Sequence, residues 1–415
     1  MRGAGVRGAA LTMVALLAAV LVVVLLTVPF PVLPGAHPQV DVGRDFTAGQ
    51  LARERAYHAA VRLPAYAALV VSIAVAGFLG LTRLGGRIVA GLPGGWVTRA
   101  VLGTVVLLGL GRVATLPFDA RTEVVLRRYG LSTQNWGGWA TDQLRTFGIS
   151  ATTTALIVVV LLALARRLPG TWWAWGGLAT AVLVGVGSFA YPVVVEPAFN
   201  SFTSLPQGPL RTDLLALARR DQVPVKDVLV ADASRRTTAL NAYVSGFGST
   251  RRVVLYDTLL RSATPREVEL VVAHELGHAK QQDVLHGTCI GALGGAAGIC
   301  ALFLLLSWRP LLNRVGATSA GDPRVLGLVL FLGLAGPLLV SPVTNLISRH
   351  IESRADVHSL DLTHDVPTFI ASEKRLSTVN LSNLSPGPLV YGLFFDHPSG
   401  PERIAVAHEW ERLHR

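Results

Sequence analysis

Long apolar runs alternate with short polar segments along the chain. Each run approaches the ~20 apolar residues that a helix needs to cross a hydrocarbon layer. Seven such runs occur, at residues 8–29, 62–82, 99–117, 149–165, 172–194, 287–307 and 324–348. The pattern therefore predicts a mainly α, polytopic protein with about seven transmembrane helices.

Composition supports this prediction. Hydrophobic residues make up 51% of the 415 positions, and the mean hydropathy of +0.48 exceeds that of ordinary soluble domains. The first run follows Arg2 and Arg7, as in a signal peptide, but it is too long for one and no clear A-x-A cleavage site follows. We expect it to be a retained anchor in the cell membrane.

The net charge of +11 comes almost wholly from arginine. These arginines are spread over the polar segments, as flanking charge for anionic lipid headgroups, and do not form a stripe of the kind that binds nucleic acid. The expected partner is therefore the lipid bilayer, and nucleic acid is not implied. Nothing in the pattern indicates an oligomeric state.

The runs divide the chain into four predicted parts. Residues 1–195 form a membrane domain with about five helices, and 196–286 form the first long soluble part. Two further membrane helices fall within 287–348, and 349–415 form a second polar part. The first soluble part mixes helical and strand-like patterns, with a helix at 209–220 and strands at 227–232, 241–246 and 252–257.

A well-marked helix begins near the end of the first soluble part. Thr264 can cap it, Pro265 suits its first position, and Glu267 completes a capping box. This helix carries the polar residues that define the candidate site.

His274, Glu275 and His278 form an H-E-x-x-H pattern on that helix. Residues four apart project from one helical face, so both imidazoles can share one zinc ion, and Glu275 lies beside the attacking water as general base. Chance would supply this pentapeptide on the order of 0.01 times in such a chain. The pattern therefore predicts one catalytic Zn²⁺ per chain.

A catalytic zinc site needs a third protein ligand. Glu352 and Asp356 lie four apart after the last apolar run, so they share a face if that segment is helical. We predict that Glu352 binds the metal and that Asp356 orients one of the histidines. His278 lies about ten residues before the sixth run and Glu352 about four after the seventh, which predicts a site near the membrane surface and a membrane-embedded or lipid-bearing substrate.

Together these residues resemble the M48 metalloprotease family, specifically its CAAX prenyl protease (Ste24) type. The likeness covers about residues 118–410. Besides the zinc motifs, the matching segments are Tyr129 to Gln134 with Trp136 and Asp142, Arg235 to Gly246, Arg251 to Leu260, and His397-Pro398 with Arg403. The resemblance implies a zincin-like α+β metalloprotease domain and hydrolysis of peptide bonds in membrane-associated or lipid-modified, CAAX-like proteins.

The resemblance also implies further site residues. Asn241, Ala242 and Tyr243 are expected to bind the substrate backbone along an edge strand. His397 and Arg403 are expected near the scissile carbonyl, where they support the developing oxyanion.

Two residues near His397 depart from the family pattern. Asp396 stands where the family often has serine, and Ser399 where a second proline is common.

Two other functions compete with this one. A site-2 type intramembrane protease also uses H-E-x-x-H, but within a span, whereas the motif here is flanked by Glu267, Glu269, Lys280, Gln281, Gln282 and Asp283. A membrane sensor or scaffold with a zincin domain needs no turnover, so an intact general base beside an intact ligand set argues against it.

Membrane orientation is indicated by two opposing signals. The loops at 83–99, 166–171 and 308–323 are arginine-rich, and the positive-inside rule would make them cytoplasmic, with the zinc outside. The resemblance implies a zinc that faces the cytosol. The other side also carries arginines, including Arg127 and Arg128, and we adopt the family orientation.

Overall fold

The computed structural model describes residues 2–246, Gly248 and 251–415. In chain order its helices are α1 (Arg2–Thr27), α2 (Val42–Asp45), α3 (Ala48–Leu81), α4 (Arg83–Gly91), α5 (Trp96–Tyr129), α6 (Trp136–Arg167), α7 (Trp172–Ala190), α8 (Pro209–Arg220), α9 (Asp257–Ser262), α10 (Pro265–Lys280), α11 (Asp283–Ser307), α12 (Arg309–Val315), α13 (Leu326–Thr363), α14 (Val366–Val379), α15 (Pro388–Phe394) and α16 (Gly400–Leu413). The strands are β1 (Phe202–Ser204), β2 (Asp227–Ala231), β3 (Ala242–Ser245) and β4 (Arg252–Tyr256).

Among the described residues, seven helices are long and apolar enough to cross a membrane. They are α1, α3, α5, α6, α7, α11 and α13, the last with the short turn before it. The predicted count of seven is confirmed. Several of these helices continue well past their apolar runs, α5 to Tyr129 and α13 to Thr363, because their polar ends pack in the soluble part of the molecule.

The membrane helices pack closely where glycines meet. A Cβ added at Gly80 of α3 would lie 2.6 Å from the carbonyl oxygen of Gly327 in α13. A Cβ at Gly327 would lie 2.7 Å from the carbonyl oxygen of Leu79. Small residues of this kind let two helix backbones approach within a bilayer. The contact fixes α13, which carries Glu352 and Asp356 at its far end, against α3.

The soluble part contains a four-stranded sheet in the order β1-β2-β4-β3. β2 and β4 are parallel, whereas β1 and β3 pair antiparallel with their neighbours. The three predicted strands are confirmed, and β1 is an additional strand that the pattern did not reveal. β3 lies at an edge of the sheet, so one side of its backbone is free to pair with another chain.

The helix predicted at Thr264 is present as α10, outside the candidate spans. The Thr264 side chain accepts a hydrogen bond from the Glu267 N–H at 3.3 Å, and the Glu267 carboxylate accepts one from the Thr264 N–H at 2.7 Å. The helix packs on the sheet through buried residues such as Val272 and Leu276. This position disfavours an intramembrane protease of the site-2 type.

The chain between His278 and the sixth span does not form one continuous helix. α10 ends at Lys280, and α11 begins only at Asp283. Between them Gln282 adopts a left-handed conformation with φ of 55°. The break separates a helix that packs on the sheet from one that packs between α1 and α7 in the membrane bundle.

Candidate active site

His274, His278 and Glu352 lie together where α10 meets α13. The Nε2 atoms of the two histidines are 3.1 Å apart. Glu352 Oε2 is 3.2 Å from His274 Nε2, and Glu352 Oε1 is 3.5 Å from His278 Nε2. Potential ligand atoms of all three residues lie within 4.8 Å of one another. The two histidines therefore share one face of α10, as their spacing predicts. Glu352, 74 residues after His278, lies beside them as the third ligand.

The hydrogen bonds around this cluster fit a divalent metal. His274 Nδ1 lies 2.9 Å from Asp356 Oδ1, and His278 Nδ1 lies 2.9 Å from Asp283 Oδ2. A carboxylate at Nδ1 holds the ring proton there and leaves Nε2 available as a ligand. Among the described residues, the buried Glu352 Oε2 has no hydrogen-bond partner. A zinc ion would be held by these three converging donors.

The electrostatic environment also favours a cation. Burial opposes charge on the imidazole of His274, but the adjacent carboxylates of Asp356 and Glu352 raise its pKa to about 9. Burial likewise opposes charge on His278, but Asp283 and Glu352 raise the pKa of that imidazole to about 10. Carboxylates that stabilise bound protons stabilise a bound metal ion by the same Coulombic attraction, so protons and metal compete for these nitrogens.

Glu275 lies in the cleft between α10 and β3. Burial raises the pKa of its carboxyl group, while the nearby histidines and a hydrogen bond from the Val244 backbone N–H act in the opposite direction. A carboxylate whose pKa is raised by burial is a stronger proton acceptor than one in water. The position and environment of Glu275 fit those of a general base.

The edge strand β3 presents part of its backbone to the cleft. The Tyr256 N–H donates to the Asn241 carbonyl at 3.0 Å, and Tyr243 is paired with Val254. In an antiparallel pair, every second residue bonds to the partner strand. Asn241 and Tyr243 do so here, and the N–H and C=O groups of Ala242 and Val244 therefore point away from β4. Of these groups, the two carbonyls are available for a substrate backbone, because the Ala242 N–H donates to the Asn241 side chain and the Val244 N–H donates to Glu275.

The three predicted substrate-binding residues make different contacts. The side chain of Asn241 accepts a hydrogen bond from the Ala242 N–H at 2.9 Å. The Tyr243 hydroxyl donates to Glu196 Oε2, 3.0 Å away in the segment after α7. Of these three residues, Ala242 therefore offers its carbonyl group to the cleft, and Asn241 and Tyr243 support or flank that strand.

His397 lies at the open side of the metal cluster. Its Nε2 is 3.3 Å from Glu352 Oε1, and its side chain is 57% exposed. Asp396 Oδ1 lies 2.8 Å from His397 Nδ1. This hydrogen bond raises the pKa of His397, although burial opposes the charge. The charged imidazole thus has an Nε2–H donor beside the position of the metal.

Arg403 lies beneath the cluster, in the buried wall of the cleft. Its Nε is 2.9 Å from Asp356 Oδ2, and its Nη1 is 2.9 Å from Glu373 Oε2. Its side chain is only 15% exposed. These contacts differ from direct support of the scissile carbonyl, because the guanidinium is engaged by buried carboxylates. The geometry favours a role for Arg403 in fixing Asp356 and, through it, His274.

Two cavities flank the cluster along β3. One, of about 410 Å³, extends past the beginning of β3 and is lined by residues of α10, α14 and α16. The other, of about 510 Å³, extends past the end of β3. It reaches the first residues of α11, Asp283 and Val284, and the polar part of α13 at Ile351 and Glu352. Both include Ala242, His274, Glu275 and His397. Together they form a cleft in which an extended chain can pass the cluster.

Sequence reasoning missed Asp283 and Glu373. Asp283 reads as an ordinary acidic residue at a helix start, although the need for an acceptor on each metal-bound imidazole points to a carboxylate near His278. Glu373 has no sequence signal, since a single acid in α14 resembles a solvated helix position.

Comparisons with known proteins agree with this geometry. Residues 204–411 match the model of peptidase family M48, and residues 55–201 match that of the CAAX prenyl protease N-terminal region with five membrane helices. The chain is 32% identical to the uncharacterized metalloprotease YhfN of Bacillus subtilis (strain 168), over 76% of each chain. It is 30% identical to a CAAX prenyl protease 1 homolog of Oryza sativa subsp. japonica, over 71% of this chain and 70% of the other.

A solved structure shows the same fold. The crystal structure of S. mikatae Ste24p superposes with a TM-score of 0.79, covering 96% of this chain and 98% of the other at 20% sequence identity. The family models, the relatives and the His-His-Glu cluster lead to one conclusion. The chain belongs to peptidase family M48 and is a multi-pass membrane metalloprotease similar to the CAAX prenyl proteases.

Proposed function

We propose that the protein is a zinc endopeptidase of the cell membrane that cleaves membrane-associated or lipid-modified polypeptides, CAAX-like proteins among them. The position of the metal cluster carries this proposal. Glu352 lies on the same helix as the seventh span, and His278 is five residues from Asp283, where α11 begins. A scissile bond that reaches this cluster belongs to a segment near the bilayer surface.

His274, His278 and Glu352 are the residues that would hold zinc. When bound, zinc supplies a Lewis acid that polarises the scissile carbonyl and lowers the pKa of a water molecule toward ~7. Glu275 takes a proton from the attacking water and later delivers it to the leaving amine. Asp356 and Asp283 hold the two imidazoles in the orientation and tautomer that ligation needs.

The remaining residues bind and orient the substrate. The carbonyl group of Ala242 accepts a hydrogen bond from an extended peptide, as in strand addition. Asn241 and Tyr243 hold this part of β3 in place through the contacts described above. His397 donates from Nε2 toward the carbonyl oxygen as negative charge develops there. Arg403 acts through Asp356. Backbone pairing gives little side-chain discrimination, so the sequence preference along the strand is broad.

The test compares one peptide sequence in two forms, free in solution and attached to a lipid or transmembrane anchor. Purified protein is reconstituted with zinc in detergent-free vesicles, with the Glu275→Gln variant as control. We expect kcat/KM to be about tenfold or more higher for the anchored peptide, since ~1.4 kcal/mol of productive tethering corresponds to a factor of ten. Equal values for both peptides would contradict a membrane-presented substrate. Cleavage that persists in Glu275→Gln would contradict the proposed mechanism.

A further inference from the structure

Helix α10 passes close to α13 at Gly277, the residue before the second histidine of the metal cluster. A Cβ added at Gly277 would lie 3.1 Å from Cδ2 of His358 and 3.2 Å from its Cβ and Cγ. Carbon atoms in ordinary contact are about 3.5–4.0 Å apart. The His358 Cβ is bonded directly to the α13 backbone, so rotation of the ring cannot remove the whole conflict. A larger residue at position 277 would therefore have to move one helix relative to the other.

The ring of His358 is also fixed from its far side. Its Nε2 donates a hydrogen bond to Asp221 Oδ2 at 3.0 Å, since a carboxylate oxygen only accepts. Asp221 directly follows α8, and its side chain is 1% exposed. The other oxygen of this carboxylate, Oδ1, lies 2.6 Å from Lys280 Nζ at the end of α10. One buried aspartate thus connects α8, α10 and α13 beside the contact.

The contact lies on the two helices that carry the metal ligands. Gly277 is adjacent to His278, and His358 lies six residues, or about 9 Å along the helix axis, beyond Glu352. Because the ligands come from both helices, the distance between α10 and α13 sets the distance from the histidines to Glu352. Zinc binds such donors at about 2.0–2.2 Å. A helix displacement of a few tenths of an ångström would therefore alter these bonds and weaken metal binding.

The location of the contact indicates that it supports the site without touching the substrate. Among the described residues that line the two cavities of the cleft, Gly277, His358 and Asp221 do not occur. The His358 side chain is 15% exposed, and it packs between α8 and α10. These residues can therefore act on the reaction only through the elements that carry the ligands.

We propose that the ring of His358, held by Asp221, and the small Gly277 opposite it set the distance between α10 and α13 at which the two histidines and Glu352 can bind one metal ion together. Gly277 and His358 are positioning residues, since they act through the ligands. The inference rests on the proposed zinc peptidase function and adds the contact that defines the geometry of its metal site. A change of size in either direction should disturb this distance, because an added atom separates the helices and a lost ring leaves a gap.

The experiment is a double-mutant cycle on the purified full-length protein. Gly277→Ala, His358→Ala and the variant with both changes are compared with wild type. Competition with a chromophoric chelator measures zinc affinity, and the visible absorption bands of the Co²⁺-substituted protein report coordination geometry. Each single variant should bind zinc about tenfold or more weakly and show altered Co²⁺ bands. The double variant should bind zinc more tightly than either single variant, because the added methyl group enters space that the ring vacates.

Gly148→Ala is the matched control for the added methyl group. Gly148 lies in α6, and a Cβ added there meets no atom within 4 Å. The same exchange of glycine for alanine should therefore leave zinc affinity and the Co²⁺ bands at their wild-type values. Thermal unfolding of the metal-free protein is recorded for every variant, which separates a loss of fold stability from a change at the metal site.

Three results would overturn the inference. The first is wild-type affinity with unaltered Co²⁺ bands in either single variant. The second is an additive loss in the double variant, which would show that Gly277 and His358 act independently. The third is an equal loss in Gly148→Ala. If Gly277→Ala cannot be purified in folded form, the double variant decides, because it should fold and bind zinc, and its failure to do so would also reject the inference.

Failure of the proposed function would look different. A wild-type protein that binds no stoichiometric zinc, or whose peptide cleavage does not depend on Glu275, would contradict the peptidase proposal before any variant is compared. A wild-type protein that binds zinc and cleaves peptides, but shows no coupling between Gly277 and His358, would contradict only the inference drawn from their contact.

Discussion

Asp283 Oδ2 lies 2.9 Å from His278 Nδ1, although the two residues belong to different helices. The left-handed conformation of Gln282 turns the chain so that the first residue of α11 faces the last turn of α10. Arg354 of α13 pairs with the same aspartate and also donates to the Thr27 carbonyl at 2.6 Å. Asp283 of α11 and Arg354 of α13 thus connect the metal cluster to their own two membrane helices and, through Thr27, to α1.

The first prediction concerns this aspartate. Replacing Asp283 with Asn removes the charge that orients His278, so zinc affinity should fall by about 10- to 100-fold. Competition with a chromophoric chelator measures the change. Asp213→Asn, an exposed substitution on α8, is the matched control. An affinity unchanged in Asp283→Asn would show that His278 needs no such partner.

The second prediction separates metal binding from proton transfer. The double variant His274→Ala, His278→Ala should lose its zinc, because two of the three converging donors are gone. Glu275→Gln should keep zinc and lose about 10²- to 10⁴-fold in kcat, because only the proton acceptor is removed. Metal analysis and peptide hydrolysis are measured on the same preparations. A full zinc complement in the double variant would refute the ligand assignment.

The third prediction follows from the Asp396–His397 hydrogen bond. This bond raises the pKa of His397, so the imidazolium persists to higher pH than in an unpaired histidine. If the charged form supports the oxyanion, kcat/KM is highest below this pKa and falls as pH rises through it. Asp396→Asn lowers the pKa and should shift the alkaline limb to lower pH.

The pH–rate profiles of wild type, Asp396→Asn and His397→Gln test this point. His397→Gln should lose the limb assigned to His397 along with part of its activity. An alkaline limb that stays at the same pH in Asp396→Asn would assign it to a different group.

The fourth prediction concerns membrane orientation, for which we propose a zinc cluster that faces the cytosol. A cysteine placed at the exposed Gln207 should then react with a membrane-impermeant reagent only after cells are permeabilised. A cysteine at Thr171, exposed between α6 and α7 on the opposite side, should react in intact cells. Both are made in a Cys289→Ala background, since that native cysteine is exposed. The reverse labelling pattern would place the zinc outside, as the arginine-rich loops predict.

Much of the fold followed from local patterns in the sequence. The seven spans follow from long, mostly apolar runs, and the beginning of α10 follows from the Thr264 capping box, because both depend on residues close together in the chain. His274 and His278 share a face for the same reason. Glu352 was found differently, since the coordination chemistry of zinc requires a third ligand and its spacing to Asp356 fits a helix.

The tertiary structure decided the features that depend on distant segments. The edge position of β3, the turn at Gln282 and the engagement of Arg403 by two carboxylates each depend on how separate elements pack. Asp356, Glu373 and Arg403 lie on α13, α14 and α16. Helical spacing relates Asp356 to Glu352, but no local pattern relates Asp356, Glu373 and Arg403 to one another. Local patterns specify which residues form a helix or a span. Only packing determines which charged side chains from separate helices are buried at the same place. Because burial removes their water, these side chains must form ion pairs with one another.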